Sequence, residues 1–240
     1  MQVVQDVHGR ADRIWRLAWL VMFISLEGID GSGKTTQAKL LAKALGEDVV
    51  LVREPGGTET GERIRQVLKD PSLELDPLAE LLLFCAARAE LVSQVVGPAR
   101  DAGRDVVCDR FSDSSVAYQG VARGLGAERV EEICDLATGG VWPDLTILLR
   151  IDPDRTAKRI GRRKADRFEE EGIELQRRVV EGYDEVARRH PERVHVVDAD
   201  GHRDSVHAAV FAEVQAVLMR GRASASGRGR FEGEARGATR

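Results

Sequence analysis

Ten residues, Glu27-Gly28-Ile29-Asp30-Gly31-Ser32-Gly33-Lys34-Thr35-Thr36, carry chemistry that can be named from residue type and spacing alone. Gly28 to Thr35 fits Gly-x-x-x-x-Gly-Lys-Thr, a loop whose glycines let backbone N–H groups close around phosphate oxygens. Lys34 can neutralise the β- and γ-phosphates of a nucleotide, and Thr35 offers a hydroxyl to Mg²⁺. A helix starting here points its positive end at the same anion. The expectation is ATP on Gly28, Ile29, Asp30, Gly31, Ser32, Gly33, Lys34, Thr35 and Thr36, with Mg²⁺ at Thr35. Asp30 is out of place in such a loop, because a carboxylate repels phosphate unless it faces away. It suits a sugar hydroxyl of a second substrate, or is a plain exposed loop residue.

Three further groups could serve that second substrate. Arg53-Glu54-Pro55-Gly56-Gly57-Thr58 follows an apolar stretch, and Arg53 can hold a phosphate while Pro-Gly-Gly turns the chain. Asp109-Arg110-Phe111 follows Val106-Val107-Cys108. Asp109 stands where an acid near Mg²⁺ belongs, and Arg110 offers a bidentate phosphate contact. Ser114, Ser115, Tyr118 and Gln119 follow on a predicted helix start. Phe84 and Arg88 lie one helical turn apart, off the stripe Leu78, Leu81, Leu82, Cys85, Ala86, Ala89, Val92, Val96 that reads as core. An aromatic face with a guanidinium beside it suits a flat, hydrogen-bonding base; packing on a neighbouring helix is the alternative. Leu81-Leu82-Leu83-Phe84 is apolar almost all round, which implies burial on both sides, as in a dimer.

Arg155, Lys158, Arg159, Arg162, Arg163, Lys164 and Arg167 crowd together around Gly161. A charge run of this kind is commonly a solvated helix face. With a glycine hinge inside and Asp166-Arg167-Phe168-Glu169 after it, the run reads better as a basic lid over a phosphoryl-transfer site.

Short apolar stretches alternate with amphipathic ones in the order needed to position these groups. Strands are expected at 22–27, 48–53, 105–109, 144–151 and 193–198, and helices at 35–45, 62–68, 77–96, 128–137, 154–160, 170–189 and 203–219. That alternation predicts an α/β fold of P-loop NTPase type: a five-stranded parallel sheet with helices on both faces and a short basic lid. Residues 22–219 make the expected domain. Residues 1–21 are an extension, either disordered or a misassigned start, and 220–240 an Arg/Gly-rich disordered tail.

The net charge of −4 excludes a chain wrapped on nucleic acid. No apolar run approaches the roughly 18 residues of a membrane span. Cys85, Cys108 and Cys134 are too sparse for a disulfide framework or zinc spacing and read as reduced core residues of a cytoplasmic protein.

EGIDGSGKTTQ, REPGGT, LLLFCAAR, DRFSDSSVAYQG with WPDLTILL, and DRFE before the last long helices occur in one order over about 22–219. Together they resemble bacterial thymidylate kinases, which make dTDP from dTMP and MgATP, as homodimers in the cytoplasm. The resemblance implies that Asp30 contacts the 3′-hydroxyl and that Arg53 and Arg110 hold the dTMP phosphate. Phe84 would stack on thymine with Arg88 at its edge. Ser115 and Gln119 would frame the base, Tyr118 would close the sugar 2′ position, and Asp109 would sit at the metal. Asp198 and Ala199 resemble the segment beside adenine. Gly31 stands where one branch of the family carries an arginine, so the resemblance is to the branch whose lid supplies it, here Arg162 or Arg163. Arg150 departs from the acidic residue that many relatives carry there. The competing classes are a deoxynucleoside kinase, a purine monophosphate kinase, and a non-catalytic nucleotide sensor. The paired Arg53 and Arg110 favour a monophosphate acceptor, and nothing essential to catalysis is missing.

Overall fold

The structure is a computed structural model that describes residues 21–160 and 167–234. Its sheet has five parallel strands in the order β2-β3-β1-β4-β5. They are β1 Phe23–Glu27, β2 Val50–Arg53, β3 Val106–Asp109, β4 Leu145–Arg150 and β5 Val194–Asp198. β1 is buried at every position, as a central strand covered on both faces must be. Edge strand β2 alternates half-buried with exposed residues. Each expected strand is present, trimmed by a residue or two at its ends.

The helices cover both faces: α1 Lys34–Leu45, α2 Glu59–Lys69, α3 Pro77–Leu91, α4 Ser112–Ser115, α5 Ala127–Thr138, α6 Pro153–Ile160, α7 Arg167–Glu170, α8 Gly172–Arg189 and α9 Arg203–Glu234. α1 buries Lys34, Gln37, Ala38, Leu41 and Ala42, a stripe at helical spacing, and stops at Gly46 with φ 125°. α3 starts cleanly because Asp76 accepts the Leu78 N–H at 2.8 Å and Pro77, which has no N–H to satisfy, follows it.

The helix expected over 77–96 differs in two ways. After Leu91 it widens into a π turn, Val92–Val96, before a last α turn, Gly97–Asp101. Pro98 cannot donate a regular helical bond, and the wider turn absorbs that. Its inward face also differs from the apolar stripe. Glu80, Leu81, Cys85, Ala87, Arg88 and Leu91 are buried, whereas Leu82 is 52% exposed and Ala86 faces out. Two charged residues occupy inward positions because each has an ionic partner there. α4 likewise continues as a π segment, Val116–Ala122. α9 stays helical past Met219 to Glu234, beyond the point where the apolar periodicity ends and a disordered tail was expected.

The core lies on both faces of the sheet. Leu26, Leu41, Ile147 and Val210 belong to one side. Phe23, Leu91, Val96, Val106 and Phe111 form the other, with Phe23 edge-on to Phe111 at 4.8 Å. The three cysteines are free and buried. No helix among the described residues is long and apolar enough to cross a membrane.

Candidate active site

The parallel register brings the chemistry to one end of the sheet. Leu26 of β1 and Arg53 of β2 both stand opposite Asp109 of β3. The loop after β1 needs its glycines: Gly28 has φ 138°, and a Cβ there would lie 2.5 Å from the Leu149 carbonyl oxygen. Gly33 has φ 96° and leads into α1. Lys34, buried, donates to the Ile29 carbonyl at 2.7 Å. Burial, and then repulsion from Arg110, lower its pKa to about 8, while Asp30 and Asp109 act the other way. Thr35 Oγ1 donates to Asp109 Oδ2.

A cavity of about 590 Å³ opens beside this loop. Asp30, Gly31, Gly33, Lys34, Thr35 and Thr36 line the side formed by this loop and the start of α1. Arg53, Phe84, Asp109, Arg110, Ser115, Tyr118 and Gln119 also line it. Thirteen expected residues are thus brought together from the phosphate loop, α1, β2, the end of β3, α3 and the α4 segment. The Phe84 and Phe168 rings lie 6.0 Å apart, and Tyr118 meets Phe168 edge-on at 6.1 Å. Arg65 and Lys69 of α2 add two cations to the wall. Nothing in the sequence singles out Arg65 or Lys69, and Phe168 stands there only as part of Asp166-Arg167-Phe168-Glu169.

Arg110 is central to the charge pattern. Its Nη2 donates to Asp30 Oδ1 at 2.7 Å and to the Tyr118 hydroxyl at 3.2 Å. Burial alone would raise the Asp30 pKa, but Arg110 and Lys34 outweigh it and hold it at about 2. Asp30 is therefore ionised and paired with arginine, so its charge inside the loop is offset. Arg53 donates twice to Glu62, at 2.9 and 3.0 Å, and Glu62 also accepts the Gly57 N–H at 2.9 Å. That pair is half exposed, so a phosphate can displace the carboxylate at small cost.

Arg88 does not line the cavity. It is 1% exposed and stands behind the wall. Its Nε donates to Glu54 at 2.8 Å, and its Nη2 to Ser115 Oγ at 3.1 Å and to the Phe111 carbonyl at 3.3 Å. Burial works against this cation, but the Glu54 carboxylate outweighs it and raises its pKa. Glu54 lines the cavity too; the sequence showed it only as part of a turn. Gln119 donates to buried Glu80 at 2.7 Å, and Glu80 also binds Arg123 and Arg167. Arg167, counted in the sequence as part of a basic lid, is instead turned inward, with its guanidinium 4.5 Å from the Phe168 ring centroid.

Glu27 is buried at the end of β1. Burial, then Asp113, raise its pKa to about 7, against Arg110 and hydrogen bonds from Ser114 and the Phe111 N–H. Asp198 and Ala199 lie at the end of β5, where the Ala199 N–H donates to the Arg150 carbonyl at 2.8 Å, and they do not line the cavity. Arg150 pairs with Asp184 of α8. Arg162 and Arg163 lie outside the described residues, as do 1–20 and 235–240.

The donor set at Thr35 and Asp109, one hydroxyl and one carboxylate, suits Mg²⁺. That ion takes hard oxygen ligands and completes its shell with water and phosphate oxygens. No group of three or more His, Cys, Asp or Glu that could cage a metal occurs among the described residues.

A family model for thymidylate kinase matches residues 26–210. The thymidylate kinase of Pelotomaculum thermopropionicum is 49% identical over 202 residues, covering 82% of this chain and 94% of that protein. That of Deinococcus radiodurans is 45% identical over 197 residues, covering 80% and 96%. The crystal structure of thymidylate kinase from Ehrlichia chaffeensis is similar with a TM-score of 0.68 at 37% identity, covering 81% of this chain and 98% of that one. On this breadth of match, and with the phosphate loop, the Asp109-Arg110 pair and the Phe84 wall facing one cavity, the chain belongs to the thymidylate kinase family.

Proposed function

We propose that the γ-phosphoryl group of ATP passes to dTMP inside this cavity, with the phosphate loop holding the donor and the Arg53, Phe84, Arg110 and Tyr118 side holding the acceptor. The product is dTDP. One observation carries the assignment: Arg110, paired with Asp30, and Lys34 line the same chamber, so donor and acceptor phosphates meet among cations from distant segments of the chain. Lys34 meets charge on the transferred group. Arg53 and Arg110 hold the acceptor phosphate, Arg53 exchanging Glu62 for it. Phe84 presents its face to thymine, and Ser115, held from behind by Arg88, meets the base edge. Gln119, fixed by Glu80, frames the base. Asp30 accepts from the 3′-hydroxyl.

Thr35 and Asp109 would hold Mg²⁺, which when bound offsets charge on the β- and γ-phosphates. Asp198 and Ala199 would flank adenine. Gly31 leaves the phosphate loop without an arginine, and Arg162 or Arg163 supplies that charge. Residues 22–219 are the working body, and its three free cysteines suit the cytoplasm. A homodimer would cover Leu82 of α3 and Leu136 of α5, exposed by 52% and 84%. Light scattering that gives a monomer at assay concentration would remove the dimer.

Tyr118 tests the acceptor side. Its ring stands against Arg110, 5.2 Å from the guanidinium carbon, where it would block space beside the sugar. Tyr118→Ala should raise kcat/KM for ribothymidylate relative to dTMP by about tenfold, the scale of one steric contact. An unchanged ratio would show that Tyr118 does not exclude the 2′-hydroxyl.

A further inference from the structure

Arg110 is held at both its backbone and its side chain. Its φ of 74° lies in the left-handed region, which a residue with a side chain avoids unless its surroundings impose it. The next N–H, that of Phe111, donates to Glu27 Oε1 at 2.6 Å. The other carboxylate oxygen of Glu27 accepts from Ser114 Oγ at 2.5 Å and from the Tyr183 hydroxyl at 2.9 Å. Those two hydroxyls in turn accept from Arg110 Nη1, at 3.0 and 2.9 Å. One buried carboxylate therefore supports the turn that carries Arg110 and the guanidinium at its far end.

Three elements meet to make this brace. Glu27 ends β1, Ser114 lies in α4, and Tyr183 comes from α8. α8 comes this close because Gly182 has no side chain: a Cβ there would lie 2.6 Å from the Ala117 carbonyl oxygen. Glu27 and Tyr183 do not line the cavity, so they touch no substrate and act through Arg110.

The carboxylate also sets the direction of the hydroxyls. Ser114 Oγ and the Tyr183 hydroxyl both donate to Glu27, which leaves their lone pairs to accept from Arg110. A free arginine side chain samples many rotamers, and fixing one beforehand removes that entropy from the binding step.

We infer that Glu27 is a positioning residue for the acceptor phosphate: through the Phe111 amide, Ser114 and Tyr183 it fixes the direction in which Arg110 presents its guanidinium. This rests on the proposal that Arg110 holds the phosphate of dTMP.

The test uses Glu27→Gln and Tyr183→Phe in the full chain, beside Arg110→Lys. The readouts are kcat, KM for dTMP and ATP, and the inhibition constant of thymidine, which shares the base and sugar but has no phosphate. The dTMP KM should rise about tenfold in Glu27→Gln and severalfold in Tyr183→Phe, the scale of lost hydrogen bonds to a charged group. ATP KM and thymidine inhibition should stay within about twofold, since neither ligand presents the acceptor phosphate that Arg110 holds. A general loosening of the pocket would weaken dTMP and thymidine together, and that result overturns the inference. So does an unchanged dTMP KM in Tyr183→Phe, which decides the matter should Glu27→Gln not fold. If Arg110→Lys loses dTMP affinity and neither brace variant does, only the inference falls. If Arg110→Lys leaves dTMP affinity intact, the phosphate assignment falls and the inference with it.

Discussion

Replacing Lys34 with methionine should abolish phosphoryl transfer and leave the protein folded. Methionine keeps the length and apolar stem of the buried side chain and removes only the ammonium, with its 2.7 Å bond to the Ile29 carbonyl. Burial and Arg110 lower the Lys34 pKa to about 8, so the group is mostly charged at neutral pH. As the phosphoryl group moves, negative charge shifts over its oxygens, and a fixed cation in a partly dry cavity is worth several kcal/mol there. A loss of about 4 kcal/mol corresponds to roughly a thousandfold in kcat. Thermal melting should stay near that of the wild type, because losing a buried cation offsets the lost hydrogen bond. Near-normal turnover in a folded Lys34→Met protein would show that the loop does not act on the transferred phosphate.

Asp109→Asn should lower kcat by about a hundredfold and raise the Mg²⁺ concentration needed for half-maximal rate, the scale of losing one charged oxygen beside the transferred group. Asp109 Oδ2 accepts from Thr35 Oγ1 at the end of β3, and both side chains face the cavity. An amide keeps the shape and one acceptor oxygen but loses the charge. dTMP KM should change little, since Arg53, Arg110 and Phe84 remain. A wild-type Mg²⁺ dependence in this variant would reduce Asp109 to a partner that orients Thr35.

Most of this site could be read before the fold was known, for a physical reason. A phosphate loop, an acid and arginines at strand ends and an aromatic at helical spacing are local patterns, and a parallel sheet delivers strand ends to one place. The parts that could not be read depend on contacts between distant segments. Glu80 and Arg88 break the apolar stripe of α3 because each has a buried partner far away in sequence, Gln119 and Arg123 for one and Glu54 for the other. The same pairing turns Leu82 outward. Arg88 looks like a substrate contact by spacing, but Glu54 draws it behind the wall. Tyr183 follows Gln176 and Val179 on the buried stripe of α8, so sequence pattern makes it a core residue and hides its hydroxyl's link to Arg110. The π turns at Val92–Val96 and Val116–Ala122 shift helical phase by one residue, which a regular helical periodicity does not register. Arg167 sits in a basic run that reads as a lid, yet its partner Glu80 lies in another helix.

The most direct test of the account is initial rates of ADP formation with MgATP and a panel of acceptors: dTMP, dUMP, ribothymidylate, CMP, GMP, AMP and thymidine. The account predicts the highest kcat/KM for dTMP, weaker turnover of the ribonucleotide and purine monophosphates, and none of thymidine, because Arg53 and Arg110 require an acceptor phosphate. Turnover of thymidine, or a purine monophosphate preferred over dTMP, would contradict the assignment of the cavity.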